Sequence, residues 1–146
     1  IQVWANADQL VHTRGLLLSS QFVPTKAFQL MANYTWSWIN ENDVPGLILG
    51  FNTPTHKMNV GFEGQKGTWE YSAQFRYQTS YTFFMPFDEG RIEAFGSLQA
   101  QVGYKLPALK SILRLGGTNL TNANAISAYG AAAIGRVLYV GWQFGL

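Results

Sequence analysis

Phe28-Gln29-Leu30-Met31-Ala32-Asn33-Tyr34-Thr35-Trp36-Ser37-Trp38 decides the fold. Successive side chains of an extended strand point to opposite faces. The even positions read Phe28, Leu30, Ala32, Tyr34, Trp36 and Trp38; the odd positions read Gln29, Met31, Asn33, Thr35 and Ser37. One set is apolar and aromatic, the other mostly polar. Wound into a helix, the two sets would mix around the circumference. The stretch therefore predicts a β-strand with one apolar face.

The alternation recurs on both sides of this stretch and predicts about seven strands in all. Upstream, Leu16, Leu18, Ser20 and Phe22 oppose Leu17, Ser19, Gln21 and Val23, the least regular case. Downstream, Met58, Val60 and Phe62 oppose Lys57, Asn59, Gly61 and Glu63. Trp69, Tyr71, Ala73, Phe75 and Tyr77 oppose Glu70, Ser72, Gln74, Arg76 and Gln78. Leu98, Ala100, Val102 and Tyr104 oppose Ser97, Gln99, Gln101, Gly103 and Lys105. Leu113, Leu115 and Gly117 oppose Ile112, Arg114, Gly116 and Thr118. Leu138, Val140, Trp142, Phe144 and Leu146 oppose Val137, Tyr139, Gly141, Gln143 and Gly145.

Every charge in these stretches falls on the polar faces: Lys57, Glu63, Glu70, Arg76, Lys105 and Arg114. A soluble sheet with one face on a core also alternates. Here, however, Trp and Tyr gather near strand ends, as in membrane-interface girdles. The polar faces favour Gln, Asn, Ser and Gly, which suits a crowded interior better than open water. Composition agrees. Of 146 residues, 47% are hydrophobic and only 12% charged, against about 25% charged in ordinary globular domains. No apolar run approaches the roughly 18 residues of a spanning helix. A closed barrel is then the remaining way across a bilayer.

The connections alternate in length. Pro24-Thr25-Lys26, Gly64-Gln65-Lys66-Gly67 and the segment Leu106 to Lys110 are short; Asn40 to His56, Thr79 to Gly96 and Asn119 to Gly135 are long. Outer-membrane barrels have short periplasmic turns and longer extracellular loops. That assigns Phe22, Phe28, Phe62, Trp69, Tyr71, Tyr104 and Phe144 to the periplasmic side, and Trp36, Trp38 and Tyr77 to the outer side. An odd strand count with two raw edges predicts a piece of something larger. Ile1 stands first, without Met or a signal peptide, which reads as a fragment or a processed chain.

Other chemistry is sparse. Cysteine is absent and the net charge is +2; Lys and Arg are scattered, so nucleic acid is not an expected partner. His12 and His56 lack any ligand-spacing motif and read as surface or strand-end residues. Asp88, Glu89 and Glu93 near Arg91 read as a solvated loop, with no catalytic motif around them. No enzyme, cofactor or metal site is expected. Two sets remain. The loop residues Tyr81, Phe83, Phe84, Phe87 and Arg91 can contact a ligand, pack on neighbouring loops or extend the outer girdle. Gln74, Arg76, Gln78, Gln99, Gln101, Arg114 and Gln143 are expected to face the lumen, where they line a ligand path or bond to a plug and to one another.

Several motifs are similar to those of one family. Asn6-Ala7-Asp8 followed by His12-Thr13-Arg14-Gly15-Leu16 resembles the opening of a late strand in TonB-dependent receptors. Ala32-Asn33-Tyr34-Thr35 resembles their next strand, and Asn52-Thr53-Pro54-Thr55-His56-Lys57-Met58-Asn59-Val60-Gly61 their Pro-x-His-Lys-x-Asn re-entry. Arg76-Tyr77-Gln78 and Leu98-Gln99-Ala100-Gln101-Val102 continue the likeness. Gly116-Gly117-Thr118-Asn119-Leu120-Thr121-Asn122 resembles their Gly-x-x-Asn-Leu-x-Asn signature, and Gly135-Arg136 before an amphipathic strand resembles their C-terminus. The chain departs from the pattern at Leu146, where the family has Phe, and at Ala123, where a basic or aromatic residue is common.

The resemblance spans nearly all of residues 1–146. It implies the C-terminal portion of an all-β, antiparallel up-and-down transmembrane barrel of about 22 strands with a plugged lumen. It further implies a place in the outer membrane of a Gram-negative bacterium. Active import of a siderophore, cobalamin or glycan would follow, powered by an inner-membrane TonB energy-coupling complex. The implied partners are outer-membrane lipid, an N-terminal plug domain, the remaining strands, the coupling complex and a small ligand. The residues alone also admit a passive porin-like channel or a soluble β-sheet binding module.

Overall fold

The computed structural model describes residues 12–40, 51–85, 88–126 and 128–145. The chain is all-β. Seven strands form one antiparallel sheet: β1 (Thr13–Thr25), β2 (Phe28–Ile39), β3 (His56–Lys66), β4 (Trp69–Gln78), β7 (Phe95–Leu106), β8 (Ser111–Thr118) and β9 (Val137–Phe144). Each lies beside its neighbours in chain order, except that β5 (Tyr81–Met85) and β6 (Asp88–Ile92) form a separate two-stranded sheet between β4 and β7. The segment from Thr79 to Gly96, expected as a loop, thus carries its own hairpin. Met85 pairs with Asp88 and Tyr81 with Ile92.

The register places the apolar sets in contact. Phe22, Leu30, Phe62, Ala73 and Ala100 lie in one row, and Leu18, Tyr34, Met58 and Tyr77 in another. Ala100, Gly117 and Leu138 continue the first row; Val102, Leu115 and Val140 run parallel to it. A slip of one residue anywhere would turn a whole strand inside out. The opposed chemistry of the two faces therefore fixes the register.

Nothing among the described residues covers the apolar face. Leu138 is 69% and Val140 72% exposed, and Leu16, Leu18, Phe22, Val60, Trp69 and Trp142 are exposed with them. Buried hydrophobic side chains, Ile92, Phe95 and Ile112, lie elsewhere. Each large apolar side chain left in water forgoes roughly 1.5–3 kcal/mol. Aromatic rings crowd one end of this face. Phe28 and Phe62 stand 6.1 Å apart, Phe62 and Tyr71 6.3 Å, Trp69 and Tyr104 4.8 Å, and Trp142 and Phe144 5.0 Å between ring centroids. The Tyr71 ring also covers Gly64 directly opposite, replacing the contacts that a glycine lacks.

Three short connections share that end. They are tighter than the sequence suggests. Strand β3 runs through Gly64, Gln65 and Lys66, and Lys66 pairs with Trp69 across Gly67 and Thr68. Gly67, at φ +60°, supplies the left-handed conformation that side chains resist. Thr25 likewise belongs to β1, whose register shifts between Phe22 and Thr25 beside Pro24, a residue that cannot donate to the ladder. A 3-10 turn at Pro107–Leu109 makes the third connection.

Candidate functional site

The three long connections meet at the opposite end, where the first two, with the end of β2, line a cavity. Asn52 does most of the joining. Its Nδ2 donates to the Phe84 carbonyl at 2.9 Å, and its Oδ1 accepts from the Phe84 N–H at 2.7 Å. A single side chain thereby completes the backbone pairing of β5. Ladder bonds continue past the strand ends, with Ser37 N–H donating to Thr55 O at 2.9 Å and Thr79 N–H to His56 O at 3.1 Å. The third connection leans on the hairpin. The Tyr129 ring lies where a Cβ on Gly90 would stand, 1.9 Å from it, so only glycine admits this contact.

That third connection is itself pinned by Asn119. This residue is 7% exposed and sits at φ +48°, a conformation that Asn tolerates better than most residues. Its Nδ2 donates to Ala123 O at 2.8 Å and Ile134 O at 2.9 Å, while its Oδ1 accepts from the Ala123 N–H at 2.9 Å. Asn122, at φ +53°, accepts from the Arg136 N–H at 3.0 Å. Thr121 Oγ1 donates to Gly96 O at 2.8 Å. The Asn-Leu-x-Asn spacing is thus the spacing of two turn asparagines that tie the connection back to both of its ends.

The cavity has a volume of about 500 Å³. Trp38, Phe51, Tyr81 and Phe84 give it aromatic walls; Ser37, Thr53, Thr55, Ser80 and Thr82 give it hydroxyls. Arg91 is its cation. The guanidinium donates to Ser80 Oγ at 3.0 Å and pairs with Glu93 at 2.9 Å. Burial pushes the Tyr81 phenol above its ordinary value. Of the expected contact residues, Tyr81, Phe84 and Arg91 line the cavity. Phe83 does not; its ring lies against Tyr81, with centroids 6.5 Å apart. Phe87 lies outside the described residues, as do Asp43, Leu146 and Asn6-Ala7-Asp8. The strand-end residues Ser37 and Trp38 and the re-entry residues Thr53 and Thr55 were not legible as lining, because only the folded register brings them to β5.

The polar face carries the second expected set, and most of it bonds from strand to strand. Gln99 Nε2 donates to Gln74 Oε1 at 2.5 Å. Tyr139 Oη donates to Gln101 Oε1 at 3.0 Å. Glu70 on β4 pairs with Lys105 on β7 at 2.9 Å and with Arg114 on β8 at 3.4 Å, and Arg114 donates on to Gln143 on β9. This chain of contacts crosses four adjacent strands. Partly exposed pairs contribute about 0–1 kcal/mol each, so their joint effect is to hold side chains in place rather than to supply bulk stability. On the other flank Gln21 donates to Gln29 at 2.8 Å, and Gln29 to Glu63. Arg76 and Gln78 are the exceptions among the described residues: neither side chain hydrogen-bonds to a neighbouring strand, and the Arg76 guanidinium lies instead 5.5 Å from the centre of the Phe95 ring on β7.

His12, His56, Asp88 and Glu89 do not line the cavity, and Glu93 meets it only through Arg91. His56 Nδ1 lies 2.7 Å from Tyr34 Oη, and His12 is exposed. Asp88 Oδ1 accepts from the adjoining Glu89 N–H at 2.8 Å. Among the described residues no group of three or more His, Asp or Glu could hold a metal ion. The chain matches no protein-family model and no curated protein sequence.

Proposed function

We propose that this chain is part of the wall of a larger transmembrane β-barrel in a Gram-negative outer membrane, in a TonB-dependent receptor that imports a ligand such as a siderophore, cobalamin or glycan. The observation that carries the reading is the uncovered apolar face, which runs across all seven strands without a charge between its aromatic ends. Lipid would cover it at no cost, whereas water does not. Strands of 8 to 13 residues fit the roughly 9–11 needed to span a bilayer at a tilt. Among the described residues β1 and β9 each pair on one side only. Such edges cannot face hydrocarbon, so further strands would close the barrel. A plug and an energy-coupling complex would be partners of the whole receptor, and the cavity among the long connections is where its ligand would first bind.

Cysteine labelling tests the placement. A membrane-impermeant maleimide added to intact cells should label cysteine at Asp88 and at Ala128, and should miss cysteine at Lys26 and at Lys66. Labelling at the lysine positions alone would reverse the orientation. Labelling at all four would place both ends in one aqueous compartment and sink the reading.

A further inference from the structure

Lys66 and Lys110 frame the aromatic end of the apolar face. Lys66 is the last residue of β3 and pairs with Trp69 at the start of β4; Trp69 pairs in turn with Tyr104, and Tyr104 with Leu113. Alternation puts Lys66 on the same face as these three, at its rim. Lys110 follows the 3-10 turn between β7 and β8, where the Gly145 N–H donates to its carbonyl at 3.0 Å. The connections that carry the two lysines are neighbours in the sheet, two strand spacings or roughly 10 Å apart. Trp69 and Tyr104 lie between them, with ring centroids 4.8 Å apart. Leu109, beside Lys110, is 58% exposed.

Both lysines are exposed, and among the described residues no ion pair involves either. The acids nearest to them along β3 and β4 alternate onto the polar face. There Glu70 holds Lys105 and Arg114, and Glu63 accepts from Gln29. The short connections contain no Asp or Glu, whereas Glu41, Asp43, Asp88, Glu89 and Glu93 all lie in the long ones. An anion approaching the apolar face at this end therefore meets cations and no like charge. The remaining short connection also carries a lysine, Lys26, but that residue lines a cavity together with Glu63 and Glu70.

We propose that Lys66 and Lys110 bind the phosphate of an anionic phospholipid whose acyl chains lie on Trp69, Tyr104 and Leu113. A lysine at the edge of an apolar surface lays its methylene stem on that surface and keeps its ammonium at the polar boundary. Rings with a polar tip, such as those of Trp69 and Tyr104, settle at the same level. Headgroup phosphates stand at that boundary, where the two ammonium groups meet them as donors and as charges. A zwitterionic headgroup brings an ammonium of its own to its phosphate; an anionic one, such as phosphatidylglycerol, does not. A water-soluble polyanion fits less well, because it would leave the exposed Trp69 and Leu109 side chains in water. The inference rests on the reading of the apolar face as covered by lipid, and it adds which lipid the short-connection end selects.

The test uses the full-length protein purified in detergent and titrated with mixed micelles holding equal parts of phosphatidylglycerol and phosphatidylethanolamine. Native mass spectrometry reads the lipids retained. The parent should retain phosphatidylglycerol over phosphatidylethanolamine by about tenfold or more. Lys66→Gln with Lys110→Gln should bring the two lipids close to parity, and Lys66→Arg with Lys110→Arg should keep the preference. Lys57→Gln with Arg76→Gln, which removes the same charge from the polar face, should behave as the parent does. No preference in the parent, an undiminished preference in the Lys66/Lys110 glutamine variant, or an equal loss in the Lys57/Arg76 variant overturns the proposal. Sedimentation with purified peptidoglycan sacculi examines the competing partner. A parent that shows no lipid preference but sediments with sacculi through these lysines serves an anionic polymer, and the proposal falls. Location is read separately on membrane fractions of the same cells. A protein that inserts without preferring phosphatidylglycerol defeats only the lysine site, and one recovered outside the membrane defeats the barrel reading and the site with it.

Discussion

Arginine in place of Phe75 should impair assembly into the membrane, whereas arginine in place of the adjoining Gln74 should be tolerated far better. Phe75 stands on the apolar face in a row with Val60 and Leu98, and its ring covers Gly96. A guanidinium there would enter hydrocarbon on the proposed reading, at a cost of about 2–4 kcal/mol near the bilayer midplane. The bare backbone of Gly96 would also lose its cover. Gln74 stands one residue away on the opposite face, exposed and bonded to Gln99, so an arginine there remains among polar neighbours. The measurement is the assembled fraction of each variant in outer-membrane preparations. Equal tolerance at the two positions would reject the assignment of faces.

A deletion of residues 142–146 should reduce membrane insertion about tenfold or more, whereas removal of residues 44–48 should leave it near the parental level. The difference lies in what each segment supplies. Trp142, Gln143 and Phe144 pair with Leu113, Ile112 and Ser111 of β8. Without them the inner end of β8 would present unpaired N–H and C=O groups to lipid, each costing several kcal/mol. The Trp142–Phe144 stack would go with them. Residues 44–48 belong to a long connection, and a change in loop length alters closure entropy by only a few tenths of a kcal/mol. Fractionation of both deletions in the full-length parent checks the contrast. Normal insertion of the shortened strand would mean that β9 is not part of a closed wall.

The sheet was legible because its two faces differ so sharply. Period-two alternation identifies the strands one at a time, and the need to match apolar with apolar then sets every register, as in the row Leu30, Phe62, Ala73 and Ala100. Strand ends were less legible. Gly64-Gln65-Lys66 has the composition of a turn, yet Gly67 alone takes the positive φ and releases the other three to β3. The hairpin was missed for a different reason. Tyr81-Thr82-Phe83-Phe84-Met85 is rich in strand formers, but its partner opens on Asp88-Glu89-Gly90, residues depleted in strands, and shows no alternation. Pairing across the turn and the grip of Asn52 on Phe84 decide that segment, and neither is visible along the chain.

The candidate site was legible only in part. Tyr81, Phe84 and Arg91 stood out as aromatics and a cation in a long connection. The cavity also needs Ser37 and Trp38 from the end of β2 and Thr53 and Thr55 from before β3. Those residues look like ordinary strand ends until the register places them beside β5. The packing of Arg76 on Phe95 and the unpaired Nε2 of Gln78 were equally hidden. They belong to the same alternating set as Gln74 and Arg114, and only the folded partners show which members are already bonded.

Spin labels placed one at a time from Trp69 to Gln78, in the full-length protein reconstituted into liposomes, test the central claim most directly. The proposed wall predicts that accessibility to dissolved oxygen peaks at positions 69, 71, 73, 75 and 77. Accessibility to a water-soluble nickel chelate should follow the opposite phase, highest at the even positions. Equal nickel accessibility on both phases, or an apolar phase shielded from oxygen and nickel alike, would place this face in water or against protein and contradict the membrane assignment.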